Sequence, residues 1–107
     1  MGDMITISVI HSSERIKVSV KGHAGYELDG KDVVCAGVSA LAQGVLEYLQ
    51  DLRYVSHHEV KDGLLVMTLV RTNVALHMVR MLVGACKSIG SSYPGTIKVK
   101  EVDEFGD

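Results

Sequence analysis

Two hydrophobic periods share this chain, and the points where one gives way to the other limit the fold most. In residues 4–10, "MITISVI", and 15–22, "RIKVSVKG", apolar and polar side chains alternate, with Ile16, Val18 and Val20 on one face. "HSSE" at 11–14 lies between them and reads as the turn of a hairpin. From Asp32 the apolar positions recur at three and four instead. Val34, Val38, Leu41, Val45, Tyr48, Leu49 and Leu52 then lie along one side of an amphipathic helix. Asp32 suits its N-cap, because a carboxylate there accepts from unpaired first-turn amides, and Cys35 falls at about the third helical position. A second hairpin over 55–60 and 64–70 turns at "KDG". Asn73 is the expected cap of a second helix, "VALHMVRMLVGACKSIG", which Gly90 and "SSYPG" terminate. A last strand, "TIKVKEV", precedes an acidic tail that should fray. The order ββαββαβ predicts one α+β domain over residues 1–107: a two-layer sandwich with both helices on one face of a mostly antiparallel sheet.

A chain of 107 residues fits one domain, and such a domain buries about 65% of its unfolded surface without metal or disulfide support. With 47% hydrophobic and 22% charged residues it is neither disordered nor membrane-like in composition. A net charge of −2 excludes a domain-wide basic excess. Lys17, Lys21, Arg71, Arg80, Lys87, Lys98 and Lys100 form no run, and five aromatic residues without tryptophan offer little to stack on bases. No direct nucleic-acid binding is therefore expected. Two cysteines do not make a disulfide framework, no signal peptide or lipidation motif is visible, and no apolar run approaches the ~18 residues of a membrane span. The expected setting is the reducing cytoplasm, with no membrane. No paired metal-ligand spacing exists, so neither metal nor cofactor is expected.

The chemistry gathers in residues 22–41, "GHAGYELDGKDVVCAGVSAL", where His23 stands twelve positions before Cys35. A thiol in the first turn of a helix faces unpaired amides and the positive end of the macrodipole, and both favour the thiolate. An imidazole nearby can take the proton, and the same amides can hold a tetrahedral oxyanion. Asp29 and Asp32 oppose this if their charge faces the sulfur. On the residues alone, a Cys-His pair and an inert buried cysteine both stand. Asp32 reads as a cap before it reads as a third catalytic member. Ser39, one turn beyond Cys35, either supports the site or bonds a carbonyl of its own helix. Gly25 and Gly30 serve as plain turn residues or as hinges of a loop that opens to a peptide.

"GHAGY" followed by "GKDVVCAGVSAL" closely resembles the ribosomal-processing cysteine protease family, Prp, and the likeness extends over essentially the whole chain. Gly37 departs from it where alanine is expected, at about 1 kcal/mol of helix propensity. The resemblance implies an endopeptidase that removes a short N-terminal extension from a large-subunit ribosomal protein precursor, cutting after aromatic residues. It implies Cys35 as nucleophile, His23 as general base, and Asp32 and Ser39 as accompanying residues. It also implies a homodimer.

The remaining candidates read as structural. His57 and His58 are adjacent, so in a strand they point to opposite faces and cannot share a metal. His77 reads as a boundary residue and Cys86 as core. The second helix carries more apolar surface than one stripe needs, which suits self-association. The main rival function is a non-catalytic binding module with a structural cysteine. A redox role lacks a resolving cysteine near Cys35.

Overall fold

The computed structural model describes residues 4–22 and 31–104, with the side chains of Lys31 and Asp32 outside that description. Its elements are β1 (Ile5–His11), β2 (Arg15–Lys21), α1 (Lys31–Asp51), β3 (Val55–Lys61), β4 (Leu64–Val70), α2 (Asn73–Ser92) and β5 (Ile97–Asp103). This is the expected order. The five strands form one sheet in the spatial order β3-β4-β2-β1-β5. Three pairings are antiparallel, and β5 returns from α2 to lie parallel to β1 at the far edge.

Strand alternation produces one buried sheet face. Ile5, Ile7 and Val9 of β1 share it with Ile16 and Val18 of β2, and with Leu65, Met67 and Leu69 of β4. Both helices cover that face. From α1, Val34, Val38, Ala42, Val45 and Leu49 reach 0–1% exposure, and from α2, Ala75, Val79, Leu82 and Cys86 are fully buried. The stripe on α1 is narrower than its sequence suggests. Tyr48 stays 50% exposed, and Leu52, 38% exposed, lies beyond Asp51, the last residue of the helix. By length and composition Val33–Asp51 would also suit a membrane crossing, although the sequence offers no long apolar run. Here its apolar side packs on the sheet.

Three helix boundaries differ from expectation. Helix α1 begins at Lys31, so Asp32 lies inside its first turn instead of capping it. The cap of α2 is Thr72, whose Oγ1 accepts from the Ala75 amide at 3.0 Å, and Asn73 is the first helical residue. Thr72 has extended backbone angles, which leave its hydroxyl free to turn back over the first-turn amides. At the other end α2 runs through Gly90 to Ser92. Gly90 is a packing residue there, since a Cβ would stand 3.4 Å from that of Ile97 on β5.

Candidate active site

Cys35 is the fifth residue of α1, two positions deeper than a cap at Asp32 would put it. In an α-helix the unpaired amides belong to the first four residues, so those near this thiol lie in the turn before it. Helical side chains lean toward the N-terminus, and that direction carries the Cys35 side chain over them. Cys35 is half-buried, with its environment open on one side.

That open side is a cavity of about 380 Å³ between the start of α1 and the ends of four strands. Among the described residues its floor is apolar, made by Ile5, Val20, Val38 and Leu65. One wall is α1, with Cys35, Ser39, Ala42 and Gln43 at helical spacing. The other is the β3–β4 turn, from Val60 to Leu64. Gly22 closes the end where β2 stops. Its backbone has φ +100°, and a Cβ there would meet the Met4 carbonyl oxygen at 2.7 Å. Glycine alone fits this turn, which leads directly to His23.

His23 itself, together with Gly25 and Gly30, lies outside the described residues, as does all of 23–30. Asp32 sits in the first turn of α1. Ser39 does line the cavity with Cys35, and its Oγ accepts from Gln43 Nε2 at 3.2 Å. The hydroxyl is thus engaged along the cavity wall. Gln43 was not anticipated, although its position eight residues after Cys35 places it on the same side of the helix. The turn residues Lys61, Asp62 and Gly63 were legible only as a turn.

The other nucleophile and bases lie elsewhere. Cys86 is fully buried in the core side of α2, and burial pushes its thiol up to about 11. His11, expected in a turn, is instead the last residue of β1 and is buried. Its Nε2 meets Glu101 Oε2 at 3.0 Å, and Arg71 donates to the Ser12 carbonyl beside it at 3.3 Å. Ile5 lines the Cys35 cavity and His11 is six residues further along the strand, about 20 Å away. His11 therefore serves the opposite end of the sheet. His57 and His58 pair with Thr68 and Met67, so they do face opposite sides of β3. His77 is exposed on α2. Among the described residues no group of three His, Cys, Asp or Glu side chains could hold a metal ion.

The family described as "Cysteine protease Prp" matches residues 4–98. Among curated protein sequences nothing matches. Similar solved structures include an essential ribosomal processing protease Prp from S. aureus in complex with a substrate peptide. It is 24% identical with a TM-score of 0.76, covering 92% of this chain and 99% of that one. The same protease with a covalently linked product peptide is 22% identical with a TM-score of 0.74, at the same coverage. SMU.848 from Streptococcus mutans is 22% identical with a TM-score of 0.68, covering 95% and 97% of the two chains. These structures share the fold, and the family match extends through both helices and into β5. The chain belongs to the Prp family of cysteine proteases and is a cysteine peptidase.

Proposed function

We propose that this peptidase processes a ribosomal protein, removing a short N-terminal extension from a large-subunit precursor, with Cys35 as nucleophile and His23 as general base. The observation that carries the reading is the placement of Cys35. It is half-buried at the wall of an apolar-floored cavity near the start of a helix, while the other thiol is sealed in the core. A binding module with a structural cysteine needs no such placement.

In this reading the His23 imidazole takes the Cys35 proton, and the thiolate attacks the carbonyl carbon of the scissile bond. The carbonyl π electrons move to oxygen, and the resulting oxyanion faces amides of the first turn of α1. As the tetrahedral intermediate collapses, the C–N bond breaks, imidazolium hands its proton to the leaving amine, and a thioester to Cys35 remains. Water, deprotonated by the same imidazole, then attacks the thioester and regenerates the thiol. Ile5, Val20, Val38 and Leu65 offer an apolar floor to an aromatic side chain preceding the cut, which fits the family's preference. Ser39, held by Gln43, supports the cavity wall. Incubation with the extended precursor and sequencing of the new N-terminus tests the proposal. An unchanged precursor, with a model peptide still cleaved, would overturn the substrate.

A homodimer and a cytoplasmic setting belong to the same reading. Tyr48 on α1, Leu52 just after it, and Val74 and Met81 on α2 leave large apolar side chains exposed. Two copies joined through these side chains would cover them. Two cysteines outside any disulfide suit a reducing compartment. Sedimentation of the wild type against Tyr48→Glu with Met81→Glu checks the dimer, and a monomeric wild type removes it.

A further inference from the structure

The sheet face turned away from the helices is basic, although the chain as a whole is acidic. The register shows how scattered residues meet there. Lys98 pairs with Thr6, which pairs with Lys21. Lys100 pairs with Ser8, and Ile10 pairs with Lys17. These alternate with the buried positions Ile5, Ile7 and Val9, so they point to the outer side. Arg15 and Lys61 stand on the same side, by their pairing with Val70 and Leu64. Thus six of the eleven lysines and arginines share one face, all exposed, and of the thirteen acidic residues only Glu59 joins them in the described register.

Glu59 is occupied locally, since Lys61 Nζ lies 3.0 Å from its Oε2. No ion pair within the described residues engages Lys17, Lys21, Lys98 or Lys100. Between the lysines lie short hydroxyl side chains, Thr6, Ser8, Ser19 and Thr68, and the face bears no Phe, Tyr or Trp. Four unpaired ammonium groups on a rigid platform fit regularly spaced phosphates. The absence of aromatic rings removes the usual means of gripping single strands by stacking. Hydroxyls suit the 2′-hydroxyls displayed in the wide, shallow minor groove of an RNA double helix. A second copy of the chain is disfavoured as occupant, because its own lysines would oppose these.

We propose that the outer face of the sheet binds the sugar-phosphate backbone of double-helical RNA through Lys17, Lys21, Lys98 and Lys100. This reverses the expectation drawn from net charge and from the lack of a basic run. None of these four lysines lines the Cys35 cavity, and the inference stands apart from the proteolysis reading.

The test is fluorescence anisotropy of the full chain with a labelled RNA duplex of about 16 base pairs. Binding in the micromolar range is expected at about 50 mM KCl. It should weaken about 10²-fold by about 200 mM, as four phosphate contacts require. Lys98→Gln with Lys100→Gln should reduce the slope of log K against log salt by about two. Arg80→Gln with Lys87→Gln on α2 removes the same charge and should leave it unchanged. Peptidase activity on a short model peptide, retained in both variants, shows that they fold. No binding at low salt, or equal losses in the two variants, overturns the proposal. So does equal affinity for a DNA duplex, or displacement by polyglutamate at matched charge, which would assign the face to another polyanion.

Discussion

The Gly22 amide donates to the Gly63 carbonyl oxygen at 2.9 Å, tying the end of β2 to the β3–β4 turn at the edge of the Cys35 cavity. One bond therefore joins the residue before His23 to the cavity wall facing α1. A change at Gly22 thus acts on the β3–β4 turn as well as on the end of β2.

Gly22→Ala is expected to lower stability by about 1–3 kcal/mol and to cut peptidase activity further than that loss explains. The added Cβ meets backbone at 2.7 Å and the positive φ excludes it sterically, so neither partner yields cheaply. Thermal unfolding and turnover at a temperature where both proteins are folded give the two readouts. An unchanged melting temperature would show that this turn relaxes freely.

Cys35→Ala should abolish cleavage and keep the fold and peptide binding, because alanine is the best helix former and the position is only half-buried. Cys86→Ala should keep activity. Normal turnover by the first variant, or a comparable loss in the second, would reassign the nucleophile.

His23→Ala should reduce turnover by about 10²–10⁴-fold, most strongly near neutral pH, where a general base counts most. Retention of more than about a tenth of the wild-type rate would demand another base. Neither His11 nor His77 could supply it, since Leu76 and Arg80 beside His77 share a cavity with His11 at the other end of the sheet.

Gly37→Ala should stabilise the protein by about 0.5–1 kcal/mol. Its new Cβ would lie 3.5 Å from Ile89 Cδ1, an ordinary contact between α1 and α2, so the helix gains without a clash. Denaturant unfolding reads this directly, and a destabilised variant would mean that the two helices are already in tight contact.

Cys86 makes stability depend on alkaline pH. Its thiol titrates near 9.0 when exposed and is raised to about 11 by burial, so the folded state holds the proton longer. That contribution is complete below pH 9 and is lost as pH rises toward 11. The wild type should therefore lose stability relative to Cys86→Ala across this window. Parallel pH curves for the two proteins would show that the thiol ionises without unfolding.

Local periodicity was enough to read the element order, the strand faces and the type of both helices, because alternation and three-four recurrence are written in neighbouring residues. The same holds for the two quoted stretches that carry His23 and Cys35. Helix ends were less legible: Thr72 and Asn73 are both good caps, and only the backbone angle of Thr72 decides which hydroxyl or amide turns inward. Gly90 stops many helices, yet here it lets α2 approach Ile97. What no local pattern holds is adjacency across the sheet. Lys98 and Lys21 are 77 positions apart in sequence and are separated by one strand, because β5 crosses to the side of β1. Gln43 and the turn at Gly63 become cavity walls for the same reason. Side-chain periods determine which face a residue takes, whereas strand pairing decides its neighbours, and pairing is chosen by the burial of the whole core at once.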